Sequence, residues 1–265
     1  MNSATYYDKL CLIRGVCIQW KDVIDASPSM WTLVGTTTPN IEKCLAKSKN
    51  APLTIELRRK PNNDKALANW ERSVGVISRW GIADIECPFD GDIKERCMSS
   101  LEASPAPMLR ELSFKNHAHS NTDRIGLFYG IAPRLQELVL HQVSLKNWGS
   151  PFLFNLRMLV LTKVQGPTME QLLTILEACA GLETLSLLFV RIDDKTSASE
   201  PRRMIDPPNL DYLMIRGLSH ASTYRLLRTI QAPSCRDFLI QSSRGQNPPT
   251  SPSALDASTY HFARS

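Results

Sequence analysis

The sequence predicts an α/β fold in which short parallel strands, each followed by a helix or an irregular return, stack side by side into a solenoid. The first observation is an apolar phrase, L-x-x-L-x-L, that returns through the second half of the chain. The second is a series of apolar positions at helical spacing between copies of the phrase. Because one such unit cannot bury its apolar face alone, neighbouring units must stack to form the core. The copies begin at Leu109, Leu135, Leu156, Leu182, Leu210 and, in a weaker form, Cys235.

The spacing of the copies indicates the type of solenoid. From their first positions, 109, 135, 156, 182, 210 and 235, consecutive copies are separated by 26, 21, 26, 28 and 25 residues. This period lies within the range of roughly 20 to 29 residues that marks leucine-rich repeats. We therefore predict a leucine-rich-repeat solenoid over 105–240, with parallel strands on its concave face and helices or irregular returns outside.

Each copy predicts a strand, because L-x-L has the two-residue period of a strand and directs both apolar side chains to one face. The inward pattern continues past four strands, at Val143, Val164, Val190 and Leu218. These residues stand where the repeat usually has asparagine or cysteine. The turn is therefore expected to depend on packing rather than on side-chain amides, which predicts an irregular solenoid.

Two returns between strands show helical spacing. One runs from Met169 to Cys179, after a Pro-Thr pair that suits a helix start. The other runs from Tyr224 to Ile230, after Ser219. Each repeat is therefore expected to contain a strand, a turn and a helix or short return.

The chain before the repeats is less regular. Apolar positions over 8–24 recur at steps of three and four, which predicts one amphipathic helix whose apolar face shields the first repeats as a terminal cap. Segment 35–104 is interpreted as degenerate first repeats, with Trp70 and Trp80 in the core. Its predicted elements are a helix at 41–46, a strand at 53–57, a turn at 61–64, a helix at 65–78, a strand through Trp80, Ile82 and Ile85, and a turn at 88–92.

Two segments lack apolar patterning. The polar stretch 193–209 is predicted to be a loop inserted between repeats. Segment 241–265 is rich in Ser, Pro, Gly, Gln and Thr and is expected to be disordered or loosely docked. The last strand would then have an uncovered edge, and such edges invite pairing with other chains.

Composition limits the function classes. The net charge of +5 and the pI near 8.8 are modest, and the basic clusters lack interleaved aromatic residues, so nucleic-acid binding is not expected. Neither a membrane span nor a signal peptide is evident in the sequence. The seven cysteines are scattered without a C-x-x-C motif, and we interpret them as small core residues in a reducing compartment. The predicted location is cytoplasmic or nuclear.

The sequence contains none of the usual catalytic signatures, such as the phosphate-binding loop, the nucleophile elbow or H-E-x-x-H. His117 and His119 are the one close histidine pair, and no cysteine or third histidine is near them in sequence. We therefore predict no catalytic residue, no cofactor and no metal ion.

The remaining candidate surface is the face of the predicted sheet opposite the leucines, which is the usual binding face of a solenoid. Its rows mix apolar, aromatic and charged residues, which favours a protein partner. The alternative is a solvated face on which Val and Thr simply suit strands. The predicted partner-binding residues are Glu137, Val139, His141, Met158, Val160, Thr162, Tyr212, Met214 and Arg216.

Several motifs resemble a known family. The phrases A-P-x-L-x-x-L at 106–112 and 132–138 resemble the repeats of F-box and leucine-rich-repeat proteins abundant in fungi, and Arg79-Trp80 resembles the R-W that opens an early repeat strand there. Segment 1–34 resembles the second half of an F-box, which commonly reads V-C-x-x-W-x-x-V and then S-P-x-L-W. The matching residues are Val16, Cys17, Trp20, Val23, Pro28 and Trp31.

This resemblance implies a substrate receptor of an SCF-type ubiquitin ligase, whose repeats recognise a protein and whose F-box binds the adaptor subunit. In that family the F-box begins with an L-P-x-E-L helix that makes much of the adaptor contact, and residues 1–8 carry no such phrase. We therefore expect weak adaptor binding or none. The alternative function is an interaction module without a ligase link, through a decayed or truncated F-box.

Overall fold

The computed structural model describes residues 3–57, 64–87, 92–116, 124–193 and 204–241. Within these residues the chain is a mixed α/β protein built on one nine-stranded parallel sheet, with two short two-stranded sheets beside it. The strands are β1 (Leu33–Gly35), β2 (Leu53–Leu57), β3 (Trp80–Cys87), β4 (Glu111–Asn116), β5 (Arg124–Ile125), β6 (Glu137–His141), β7 (Ser144–Leu145), β8 (Met158–Thr162), β9 (Gln165–Thr168), β10 (Thr184–Leu188), β11 (Arg191–Asp193), β12 (Tyr212–Arg216) and β13 (Asp237–Gln241).

The main sheet follows the order of the chain. Its strands lie in the order β1-β2-β3-β4-β6-β8-β10-β12-β13, and every neighbouring pair is parallel. The repeated leucines lie in register, so that Leu138 pairs with Leu159, Leu159 with Leu185, and Leu185 with Leu213. These four side chains are buried, which confirms the predicted strands and their inward face.

Helices connect several of the strands. Both helices predicted within the repeats are present, and α6 begins with a capping box in which the Thr168 and Gln171 side chains each accept a hydrogen bond from the other residue's backbone N–H. Short 3-10 segments occur at Pro28–Trp31, Ile77–Arg79, Phe128–Gly130 and Pro151–Leu153. The described helices are α1 (Ser3–Arg14), α2 (Ile18–Ala26), α3 (Ile41–Lys47), α4 (Asp64–Val74), α5 (Asp92–Ala103), α6 (Met169–Ala178) and α7 (His220–Thr229).

The turn after the strand repeats along the sheet. Gln142, Lys163, Phe189 and Gly217, which each follow the last residue of a strand, all have a positive φ of 52° to 73°. Each of their backbone N–H groups donates to a carbonyl of the next strand, at 2.7 to 2.9 Å. The apolar residue after each of them is buried, as predicted for Val143, Val164, Val190 and Leu218. Packing and backbone hydrogen bonds therefore hold these turns.

The core extends from the N-terminal helices through every strand interior of the main sheet except that of β13. Trp80 is fully buried and donates from Nε1 to the Ser73 carbonyl at 2.9 Å. The Arg79 guanidinium donates to the Ser48 hydroxyl at 2.7 Å and to the Ala51 carbonyl at 3.2 Å, just beyond the end of α3. The Arg79-Trp80 pair thus links α3, α4 and β3. No helix among the described residues has the length and apolarity to cross a membrane.

The N-terminal helix differs from its prediction. Two helices, α1 and α2, replace the single helix expected over 8–24. The first helix ends at Arg14, just before Gly15, and the second begins at Ile18. The expected apolar face is not covered either: Val16, Trp20 and Val23 are 68%, 54% and 64% exposed. A helical period shows which side chains share a face, but only the packed neighbours decide whether that face is buried.

Other elements were missed or displaced. The sequence did not predict β1 or α5. The predicted strand through Trp80, Ile82 and Ile85 is present as β3. In the sheet, Ala83 and Ile85 point inward and Ile82 lies on the other face, because the register shifts at the start of this strand pair. Several predictions fall on residues outside the described ranges: the turns at 61–63 and 88–91, the pair His117 and His119, most of the 193–209 loop, and the tail 242–265.

Candidate functional site

The main candidate site is the face of the nine-stranded sheet opposite the buried leucines, which we call the open face. Strand register arranges its side chains in rows that cross the sheet, and all nine predicted partner-binding residues lie in them. The first row is Glu111, Glu137, Met158, Thr184, Tyr212; the second is Ser113, Val139, Val160, Ser186, Met214; the third is Lys115, His141, Thr162, Leu188, Arg216.

The centre of the open face is more buried than strand alternation predicts. Val160 is only 6% exposed, and Ser186 and Leu188 are buried as well. Neighbouring strands lie about 4.8 Å apart, so a side chain in a middle strand is covered by its row neighbours on both sides. Val139 and Ser186 flank Val160 in this way. The centre is therefore closely packed, and the half-buried and exposed side chains lie around it as a rim.

An aromatic residue and an arginine meet at this rim. The Arg216 guanidinium carbon lies 5.6 Å from the centre of the Phe189 ring, and Phe189 is 42% exposed. Phe189 has a φ of 54°, the left-handed conformation that it shares with Gln142, Lys163 and Gly217 in the equivalent turns. A Cβ on Gly217 would lie 2.4 Å from the Phe189 ring, so a side chain there would force the ring to move.

Sequence reasoning missed Phe189 because it follows the strand and lies outside the three rows. The signal available in the sequence was a bulky apolar residue directly after a strand, where the other copies have Gln142, Lys163 and Gly217. On the same side of the sheet, the Tyr212 hydroxyl lies 3.7 Å from the Met214 sulfur. Arg, Tyr, Phe and Met are the residue types enriched at protein interfaces, and they are concentrated here.

The two halves of the open face differ in polarity. Carboxylates lie on adjacent strands of the first half, where Glu56 pairs in register with Asp84, and Glu111 with Glu137. The second half carries Val160, Leu188, Met214 and the 48% exposed Leu239. Negative charge on this face is thus concentrated in the first half, and apolar surface in the second.

The residues that could carry metal or thiol chemistry lie apart in the described part of the chain. They contain no group of three or more His, Cys, Asp or Glu side chains able to hold a metal ion. Burial raises the pKa of the Cys44 and Cys179 thiols, which disfavours the thiolate that a nucleophile requires. The Cys179 thiol instead donates to the Leu153 carbonyl at 3.2 Å, as a core cysteine does.

No protein-family model, curated protein or solved structure matches this chain.

A second candidate surface lies on the N-terminal helices and contains the F-box-like residues. Trp31 is buried and donates from Nε1 to the Ile24 carbonyl at 3.0 Å, while Cys17 and Pro28 are half-buried. Val16, Trp20 and Val23 are exposed. Together with the other exposed apolar side chains of this region they make up what we call the helical patch, whose members are all at least 40% exposed. It consists of Leu12, Ile13, Val16, Ile18, Trp20, Val23 and Met30.

An ion-pair network fixes the helices that carry this patch. Asp25 accepts from Arg14 at 2.8 Å and lies 2.7 Å from the Lys47 ammonium of α3. The hydrogen bonds from Arg14 and Lys47 lower the pKa of Asp25 to about 2. Lys47 also lies 4.8 Å from the centre of the Trp31 ring. These contacts join α1, α2 and α3 around one carboxylate, so the helical patch is held in a defined position.

Proposed function

We propose that this chain is a non-catalytic protein-recognition subunit, built as a leucine-rich-repeat solenoid that binds a protein partner on its open face. The observation that carries the proposal is the second half of that face. There, a packed apolar centre is bordered by Phe189, Tyr212 and Arg216. A buried apolar centre with an aromatic and arginine rim is the composition of an interface hot spot.

The two halves of the open face indicate the chemistry of the partner. Apolar or aromatic side chains of a bound segment would contact the second half around Phe189 and Met214, while basic side chains of the same segment would lie toward Glu111 and Glu137. Opposite charge across an interface accelerates association and orients the partner. Binding is therefore expected to weaken as salt concentration rises.

The proposal includes a link to an SCF-type ubiquitin ligase, for which the chain would be the substrate receptor. Two observations support the link: the resemblance of segment 1–34 to an F-box and the exposure of the helical patch. Exposed apolar patches of several side chains mark protein interaction sites. The alternative is an interaction module without a ligase link.

The open face is tested with two matched double variants. Tyr212→Ala with Arg216→Ala alters the open face, whereas Tyr224→Ala with Arg228→Ala removes the same residue types from α7, where the Arg228 guanidinium lies 5.6 Å from the Tyr224 ring. Each purified protein is used to capture partners from a cell lysate, and the retained proteins are quantified by mass spectrometry. We expect the α7 variant to retain the wild-type set and the open-face variant to lose it. Equal retention by both variants would exclude the open face as the binding site.

Val160 also belongs to the open face, but its substitution by Glu would not separate an effect on binding from an effect on folding. Val160 is 6% exposed, so a carboxylate there would be buried and would destabilise the sheet itself.

The ligase link is tested by titrating purified SCF adaptor into the chain. The same titration is made with a version that carries an L-P-x-E-L helix grafted before Tyr6. We expect weak binding or none by the ungrafted chain and a gain of at least tenfold with the graft, because few residues carry most of the energy of an interface. Binding by neither protein would favour the interaction module, and tight binding by the ungrafted chain would contradict the need for the grafted helix.

A further inference from the structure

The last strand of the sheet, β13, has one unpaired edge among the described residues. It pairs in parallel with β12 on one side, and no described strand lies on its other side. Its side chains are accessible on both faces, with Phe238 58% exposed and Leu239 48% exposed. Exposed edge strands are templates for pairing with another chain.

The opposite edge of the sheet is closed. In β1, the Leu33 carbonyl accepts a hydrogen bond from the Tyr7 hydroxyl at 2.8 Å, and the Gly35 N–H donates to the Thr38 hydroxyl at 2.8 Å. Val34 between them is fully buried. Side chains thus occupy the backbone groups that β1 would offer to a new strand. A head-to-tail contact between β13 of one copy and β1 of another is therefore blocked. Of the two edges of the main sheet as described, β13 is the one that can pair with its counterpart in a second copy.

Backbone geometry fixes which groups of β13 are available. The Asp237 N–H donates to the Asp211 carbonyl, and the Gln241 carbonyl accepts from the Gly217 N–H. Residues 237, 239 and 241 therefore direct their backbone groups toward β12 and the residues that flank it. Strand alternation then directs the N–H and C=O groups of Phe238 and Ile240 toward the open edge. An antiparallel partner must place residues that point outward opposite one another.

We propose that β13 pairs antiparallel with β13 of a second copy of this chain, about a two-fold axis at Leu239. In this register Phe238 lies opposite the second copy's Ile240, and the two residues exchange both backbone hydrogen bonds. The symmetric pair does the same, which gives four hydrogen bonds in total. Leu239 lies opposite itself as the closely spaced, non-hydrogen-bonded pair.

Side chains match in this register. Phe238 meets Ile240 on the core face, and aromatic side chains pair favourably with β-branched ones across strands. Asp237 lies opposite Gln241, whose amide donates to the carboxylate. The cores of both copies join across the axis, and the exposed Phe238 is covered. Since the surface is the same on both copies, the assembly closes as a dimer and does not extend into a fibre.

The test is the mass of the full chain in solution, measured by light scattering across about 1 to 100 µM, a range that suits a small interface. We expect a dimer of twice 29.8 kDa in the upper part of this range. Leu239→Lys places two like charges opposite each other on the axis and is expected to weaken the dimer at least tenfold. Leu12→Lys, the same substitution at a 75% exposed leucine of α1, is expected to leave it unchanged.

A second measurement tests the register without depending on the lysine variant. Leu239→Cys is expected to form a disulfide between two copies under mild oxidation, because the pair across the axis lies within disulfide distance. The wild-type protein, with its seven cysteines, and Leu12→Cys give the background. Three results would each overturn the proposal. The first is a wild-type monomer throughout the concentration range, and the second is a dimer that is lost in Leu12→Lys but kept in Leu239→Lys. The third is no cross-linking of Leu239→Cys above background.

Discussion

Replacing Leu159 by Ala tests the register of the whole repeat sheet. Leu159 is 1% exposed in the strand β8, with Leu138 and Leu185 as its register partners on either side. The substitution removes three carbon atoms, and at about 0.8 kcal/mol each their transfer from the core accounts for roughly 2.4 kcal/mol. The cavity adds to this value, because neighbours fixed on both sides relax only partly, so the expected loss is about 3 to 5 kcal/mol.

The assay is equilibrium unfolding in urea, followed by circular dichroism, with the free energy obtained by linear extrapolation. Leu12→Ala provides the control, since it removes the same atoms from a 75% exposed side chain and should change the free energy of unfolding by less than about 0.5 kcal/mol. A loss below about 0.5 kcal/mol for Leu159→Ala would refute the assigned inward row.

Three further predictions concern other parts of the molecule. Arg79→Ala should lower the free energy of unfolding by about 2 kcal/mol, because it removes charge-assisted hydrogen bonds to the chain at and beyond the end of α3. Arg79→Lys should restore little of this stability, since an ammonium lacks the planar fork of a guanidinium. Urea unfolding of both variants checks the prediction. The Asp25 pKa is lowered from 3.8 to about 2, so its contribution to stability should be present above pH 4 and lost as pH falls through 2, and Asp25→Asn should flatten this part of the thermal-stability profile. With a thiol reagent at neutral pH, the exposed Cys11 should react first and the buried Cys44 and Cys179 should stay protected until the protein unfolds, as peptide mass spectrometry would reveal.

The sequence determined the order and register of the repeat strands. The L-x-x-L-x-L phrase combines the two-residue strand period with a fixed spacing between copies. It therefore identified the inward leucines and placed Glu137, Met158 and Tyr212 in one row without any coordinates. The two helices within the repeats were equally predictable, because α6 and α7 carry both apolar periodicity and N-terminal capping residues, Thr168 and Ser219.

Local patterning was insufficient at the N-terminal end. The periodicity of 8–24 is genuine, but Gly15 lies within it, and a single glycine costs only about 1 kcal/mol in a helix. Whether the helix continues therefore depended on contacts elsewhere, and here the ion pairs of Asp25 with Arg14 and Lys47 fasten two separate helices around α3.

Tertiary structure alone decided which surfaces are covered. A sequence period shows which side chains share a face, whereas burial depends on what packs against that face. Val160 lies on the open face yet is buried, because it has row neighbours on both adjacent strands. Trp20 lies on an apolar helical face yet is exposed, because no described element packs over it. Phe238 pairs in register with the buried Leu213 and lies on the same face, yet it is exposed. The reason is that, among the described residues, β13 has a neighbouring strand on one side only.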